Sequence, residues 1–172
     1  PEVALSARLL KATNGAGIRV SDQLSSNESF YFADPALLDV FTFEYRAGSS
    51  RDPLGVPNAM VLAESAAERY FGEGSAVGQT ITASLLGESR DFVVTAVVRD
   101  APANAHFRFD FLVPFESELN GWLRASGSWN TNMLGAWTYM LLAPGADIAS
   151  VRSRLPDFVQ AAVPDAIRGR FV

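Results

Sequence analysis

The chain has 172 residues, a length that suits one domain or two small, intimate lobes and buries roughly 70% of the unfolded surface. Hydrophobic residues make up 48% of it, with 12 Phe, so core material is ample. The formal net charge of −5, with Lys11 as the sole lysine and no Lys/Arg cluster, argues against nucleic acid as a partner, and the absence of Cys excludes disulfides and thiolate metal sites.

Residue 1 is Pro and nothing near it resembles a signal peptide, so the chain is expected to be a segment of a longer protein or a processed product. Val3 to Ala12 and Ile18 to Leu24 read as a hairpin-like pair of strands broken at Gly15-Ala16-Gly17, the first with a helical alternative. Phe30-Tyr31-Phe32 is a compact aromatic strand. Asp34-Pro35 then has the form of a helix start, Asp as N-cap and Pro at the first helical position, with Leu37, Leu38, Val40 and Phe41 as the buried side. Phe43 to Arg46 reads as a brief strand, and Ser49 to Pro57 as a Pro/Gly-punctuated loop.

Asn58 to Gly78 is the most self-consistent stretch. Ala59 to Ala63 is an apolar run expected to be a buried strand. Ser65 and Glu68 have capping-box spacing, and Ala63, Ala66, Ala67, Tyr70 and Phe71 recur at helical spacing. Gly72 stands where a left-handed residue would end the helix. Gln79 to Leu86 and Asp91 to Arg99 read as strands joined by a turn at Gly87-Glu88, the second apolar on both faces and therefore central.

Phe107, Phe109, Phe111, Val113 and Phe115 alternate with Arg108, Asp110, Leu112 and Pro114, a period of two that predicts a strand with one aromatic face. Glu116 to Arg124 suits a short helix, Ser126 to Asn132 a loop carrying Trp129, and Trp137 to Leu142 a strand. Met133 to Ala143 is mainly apolar but too short to span a bilayer as a helix. In the last helix Ile148, Val151, Leu155, Phe158, Val159 and Ala162 share a face, with Asp147 as N-cap and Pro156 expected to kink or split it. Helices and hairpins are mixed, which predicts an α+β fold with mixed or antiparallel sheets, in which 49–105 is inserted between outer segments.

Chemistry-bearing motifs are sparse. The sole His, His106, has no Cys near it for a zinc site, and no Gly-x-Ser-x-Gly elbow accompanies it for a hydrolase; a local hydrogen bond at a loop-to-strand junction explains it better. Gly15-Ala16-Gly17 lacks the third glycine of a dinucleotide loop, and Gly72 and Gly78 flank no Lys-Ser/Thr pair. Asp34, Asp39, Glu64 and Glu68 are an acid/base set only if folding pairs them; capping and solvation account for them more simply. Trp122, Trp129, Trp137 and the Phe-rich run serve the core or line a ligand groove or partner surface, and Trp129, in a polar loop, is the best exposed candidate, with Trp122 beside it. Neither an enzyme nor a cofactor is expected.

The motifs taken together resemble a known family. Tyr31-Phe32-Ala33-Asp34-Pro35 with Phe41 following, Val61 to Gly72 (VLAESAAERYFG), Ala76-Val77-Gly78-Gln79-Thr80-Ile81, Val93 to Val98 leading to Asp100-Ala101-Pro102, Asn104 to Phe111 (NAHFRFDF), and Trp129 followed by Trp137 to Leu142 stand in the order and spacing of the MacB-like periplasmic core domain of FtsX-like ABC transporter permeases. The similarity runs from about Ser29 to Phe158. Departures are mild: Val94-Thr95-Ala96-Val97 where the family often has Val-x-Gly-Val, and Ala105 where Ser tends to precede the His.

The resemblance implies an extracytoplasmic domain inserted between the first two membrane helices of a bacterial inner-membrane permease. It implies a porter-like βαβ lobe from 1–48 and 106–172, and an inserted small β-rich lobe from 49–105. The expected partners are a second permease copy, a cytoplasmic ATPase subunit or domain, and a periplasmic partner. The expected role is non-catalytic, passing ATP-driven motion of the membrane helices to a periplasmic substrate or partner. A stand-alone periplasmic ligand-binding or adaptor module is the alternative.

Overall fold

The structure, a computed structural model, describes residues 2–12, 16–121 and 136–162. Its strands are β1 (Val3–Lys11), β2 (Ala16–Val20), β3 (Gln23–Glu28), β4 (Phe30–Ala33), β5 (Tyr45–Gly48), β6 (Ala59–Ala63), β7 (Thr80–Leu85), β8 (Glu88–Val98), β9 (Phe111–Pro114) and β10 (Ala136–Leu142). The helices are α1 (Leu37–Val40), α2 (Glu64–Phe71) and α3 (Ile148–Ala162), with a 3₁₀ turn at Glu118–Asn120. The fold is mixed α+β, as the pattern of elements predicts.

All the described strands join one ten-stranded sheet, in the order β10-β1-β4-β9-β6-β8-β7-β2-β3 with β5 on β8. β4–β9 and β6–β8 are parallel, and the other pairs antiparallel. The centre is where the sequence is apolar without alternation. Every residue of β4, β6 and β9 is buried, as strands covered on both faces must be. Phe30 of β4 sets the core geometry, its ring 6.4 Å from Phe111, 6.5 Å from Phe92 and 5.4 Å from Phe32. β8 is long enough for β7 and β5 to share it, β7 along Glu88–Val93 and β5 along Ala96–Val98. Accordingly Val93 is 36% exposed while Ala96, Val97 and Val98 are buried, so only the second half of β8 is doubly covered.

Local chemistry departs from the sequence expectation at several points. β1 does not pair with β2; it lies between β10 and β4, and β2 pairs instead with β3 and β7. The two-residue turn Ser21-Asp22, with Ser21 at φ 52°, gives β2 a nearer partner, and β1 matches β10 from Val3 to Leu10. Ala16 and Gly17 belong to β2 rather than to a turn, and Gly15 lies outside the described residues. The β7–β8 turn is Leu86-Gly87, both at positive φ (52° and 86°), one residue earlier than Gly87-Glu88.

Asp34 does not cap α1. Its carboxylate accepts from the Arg8 backbone N–H, Nε and Nη2, and the helix begins at Leu37 after a turn closed by Leu37 N–H to the Asp34 carbonyl. No capping box forms in α2 either. Ser65 lies inside the helix, and its N–H and hydroxyl both donate to Asp100 Oδ1. Gly72 does end α2, at φ 58° and ψ −129°, a glycine region but not the left-handed helical one. The ladder of β9 starts only at Phe111, yet Phe107 and Phe109 are buried, so the period of two marks which rings turn inward rather than a long strand. Pro156 sits within α3 without splitting it, and the first turn carries the expected cap, Ala149 N–H to Asp147 Oδ1 at 3.0 Å.

Candidate functional site

The most built part of the surface lies where three connections converge: the segment after α1 (Phe41 to Glu44), the β8–β9 connection (Arg99 to Asp110) and the start of β10. Apolar side chains too numerous for the core are gathered there as a shelf of rings. Phe41 stands edge-on to Tyr139 at 4.9 Å, to Phe107 at 5.4 Å and to Phe43 at 6.4 Å, and Phe43 is edge-on to Phe109 at 6.0 Å. These spacings are those of favourable aromatic pairs. Phe107 and Phe109 are buried, whereas Phe41 and Phe43 remain half-buried and form the outer lip.

His106 closes the shelf. Its Nδ1 is 2.8 Å from the Tyr139 hydroxyl, and its ring is edge-on to Trp137 at 5.4 Å. The expected local hydrogen bond is therefore a long-range one that ties the β8–β9 connection to β10. Burial, and then the neighbouring Tyr31, push the Tyr139 phenol above its ordinary range, and burial does the same to Tyr31. Ser65, Asp100 and His106 line one cleft, but the Ser65 hydroxyl donates to Asp100 at 3.0 Å and His106 is engaged by Tyr139. That order does not make a nucleophile–base–acid relay, in which the hydroxyl must donate to the imidazole.

Two open depressions flank the His106 segment and share Asp100, Ala101, Ala105, His106 and Phe107 as a common wall. One, of about 410 Å³, is an apolar groove over Phe41, Phe43, Pro102 and Phe107, with Glu44 and Arg99 at its rim. The other, of about 360 Å³, is a polar cleft lined by Lys11, Tyr31, Ser65, Arg108 and Asp110. The rim pair is an exposed ion pair, Arg99 Nη1 to Glu44 Oε2 at 3.0 Å.

Ser29 and Asp110, which line the cleft, are tied to a polar network centred on the buried Glu28. Glu28, 8% exposed, accepts from Ser25 Oγ at 2.6 Å, Tyr70 Oη at 2.7 Å and Arg69 Nη1 at 2.6 Å. Arg69 also donates to Asp110 at 2.9 Å, and the other Asp110 oxygen accepts the Ser29 N–H at 2.9 Å. One guanidinium thus clips α2 to the end of β3 and to the start of β9. Burial alone would raise the Glu28 carboxyl, but hydrogen bonds from Ser25, Tyr70 and Arg69 outweigh it and hold the group below its ordinary range. Arg69 is in turn held firmly protonated, its hydrogen bonds and charge contacts to Glu28 and Asp110 outweighing burial.

Trp122 and Trp129, the surface candidates read from sequence, lie outside the described residues. Trp137 is half-buried against His106. The acids weighed as a general acid/base set do not form one site: Asp34 pairs with Arg8 and Glu64 with Arg46, Asp39 is exposed, and only Glu64 and Glu68, one turn apart on α2, line a common depression. Sequence reasoning missed the groove because its lip is made by Phe41, read as the buried side of a helix, and Phe43, read as the start of a separate strand. The aromatic density on both sides of Thr42 was the available signal. Among the described residues no group of three or more His, Cys, Asp or Glu is placed to hold a metal ion, and no helix is long and apolar enough to cross a membrane.

Solved structures resemble the fold. A domain assigned to a permease protein of Porphyromonas gingivalis superposes with a TM-score of 0.76 at 22% identity, covering 98% of this chain and 69% of that one. The periplasmic region of MacB from Actinobacillus actinomycetemcomitans gives 0.68 at 16% identity, covering 93% and 67%. The extracellular domain of the ABC-type transporter YknZ from Gram-positive bacteria gives 0.57 at 15%, covering 88% and 70%. Comparison with curated protein sequences gives no match. The sequence itself matches the MacB-like periplasmic core domain over residues 1–158, nearly its full length, and the resemblance read from its motifs holds: the chain belongs to the MacB-like periplasmic core domain family of ABC transporter permeases.

Proposed function

We propose that this domain is a non-catalytic coupling unit of a bacterial inner-membrane permease, passing motion driven by a cytoplasmic ATPase to a periplasmic substrate or partner. In this reading two permease copies act together, and neither the ATPase nor the chemistry of transport resides in the domain. The observation that carries it is the continuity of the sheet. The outermost strand β10 lies antiparallel to β1, with Val3 opposite Leu142, so the chain comes into the sheet and leaves it side by side at one edge. Glu2 and α3 are joined there by Arg154, whose Nη2 is 2.7 Å from Glu2 Oε1. A displacement applied at that edge is carried through hydrogen-bonded strands rather than absorbed by a flexible connection.

The division into a porter-like lobe (1–48 and 106–172) and an inserted lobe (49–105) belongs to the same proposal. Its support is that β6, α2, β7 and β8 form a contiguous unit within the inserted segment, tied back through Arg69. The test is reconstitution of the full-length permease with its ATPase, with cysteine pairs placed to cross-link the domains of two copies. Cross-linking is expected to abolish ATP-driven transport and reduction to restore it. Transport that persists when the domains are locked, or when the domain is deleted, overturns the proposal.

A further inference from the structure

We propose that the apolar groove and the polar cleft form one composite site for a single-chain amphiphile with an anionic head group. The tail runs along Phe41, Phe43 and Phe107, and the head lies between Lys11 and Arg108. The depressions are not independent, because the segment from Ala105 to Phe107 is the wall of both. A ligand crossing that wall passes from a surface of aromatic rings to one of charged and hydroxyl groups, which suits a molecule that is itself apolar at one end and charged at the other. Each depression lies in the size range of small-ligand sites.

The sign of the head group follows from which charges of the cleft are already matched. The Asp110 charge is paired by Arg69, with its other oxygen on the Ser29 N–H, whereas Asp100 is hydrogen-bonded only by the neutral Ser65, so among the described residues the cleft holds two unpaired cations against one unpaired carboxylate. The cations are not matched in this way. Among the described residues neither Lys11 nor Arg108 has an acidic partner; Arg19, Arg51 and Arg152 share this, but of the five only Lys11 and Arg108 line the cleft. Lys11 Nζ instead lies 5.8 Å from the Tyr31 ring centroid, which keeps the ammonium at the cleft. A carboxylate or phosphate placed there completes charge-assisted hydrogen bonds that the protein leaves open.

The inference rests on reading the domain as one that meets a periplasmic substrate. Its test is binding by the 172-residue chain, so its failure is distinct from a failure of transport coupling in the full permease. Laurate, dodecyl phosphate, dodecyltrimethylammonium and dodecyl maltoside, each below its micelle-forming concentration, are titrated calorimetrically. Saturable binding of laurate or dodecyl phosphate, with the cationic and neutral heads at least about tenfold weaker, is expected. Whichever of the anionic pair binds more tightly identifies a carboxylate or a phosphate head. Lys11→Gln combined with Arg108→Gln should weaken both anions about tenfold or more while leaving dodecyl maltoside unchanged, and Phe43→Ala should weaken every head group alike. Circular dichroism and thermal melts of the variants separate lost binding from lost folding. Equal binding of all head groups, anion affinity unchanged in the double variant, or binding of a peptide with an apolar C-terminus but of neither anionic amphiphile would overturn the assignment.

Discussion

Replacing Arg69 by Met tests whether α2 is held by its polar clip or by apolar packing alone. The substitution keeps the length of the stem but removes the donors to Glu28 and Asp110, at 2.6 and 2.9 Å. Breaking a fully buried ion pair costs about 3–5 kcal/mol, since it strands an uncompensated charge. Glu28 fits that description, with a side chain 7% exposed, but Arg69 is 41% exposed, so solvent screening reduces the expectation to about 2–3 kcal/mol. For a chain of this size each kcal/mol moves the melting temperature by about 2–4 °C, so a fall of about 4–12 °C is predicted, read by calorimetry and checked by urea unfolding. The pH dependence has a definite sign. The folded Glu28 carboxyl lies below its ordinary value of 4.5, so its contribution is fully present above pH 4.5 and is lost as pH falls through the lower, folded value. The gap between the parent chain and the variant should therefore narrow below pH 4.5. A destabilisation under about 0.5 kcal/mol at neutral pH, or a gap that widens in acid, would refute the reasoning.

Gly48, at φ 82°, brings its backbone against the next strand so closely that a Cβ would collide with the Thr95 carbonyl and Ala96 Cα; Gly48→Ala should cost more than about 2 kcal/mol by urea unfolding. Leu86 is 61% exposed and held at φ 52° in the β7–β8 turn, so Leu86→Asn is expected to stabilise by about 0.5–1 kcal/mol in the same assay. Phe41→Ala removes edge contacts to Phe43, Phe107 and Tyr139 and should cost about 2 kcal/mol, with altered near-ultraviolet dichroism as the aromatic shelf loosens.

The parts of the fold legible in the sequence are those in which one periodicity leaves no competitor. Ala59–Ala63 and Phe30–Ala33 are short unbroken apolar runs, and with Phe111–Pro114, which the sequence read as part of a longer alternating strand, they form the fully buried centre of the sheet. Strand pairing was not legible, because β1 and β10 are separated by more than a hundred residues and nothing in either names the other. Caps misled for a related reason. Ser65 and Asp34 carry side chains that satisfy a helix end locally, but a partner distant in sequence took each one. Asp100 takes the Ser65 hydroxyl and Arg8 takes the Asp34 carboxylate in a fork of 2.7 and 2.9 Å. The Asp34 fork pairs the carboxylate with a full opposite charge through two parallel bonds, and the Ser65–Asp100 bond is charge-assisted where a Ser cap is neutral, so the long-range partner wins once the fold brings it near.

The same logic separates what the site shows from what the sequence hides. His106 read as a locally satisfied side chain, and it is satisfied, but by Tyr139 across 33 residues of chain. That one contact does more than a local bond would. It pins the β8–β9 connection against β10, raises the wall shared by groove and cleft, and sets the imidazole edge-on to Trp137. The floor below it is fixed independently by Arg69, which joins α2 to β3 and β9. A wall anchored to the last strand and a floor tied to α2 therefore meet at one place. If α2 shifts with its strand relative to β10, the wall and floor separate, and the composite site changes shape with the stroke. Occupancy of the site and the position of the domain are then linked by reciprocity: whatever binds there must favour one position over the other by the difference in its affinity for the two.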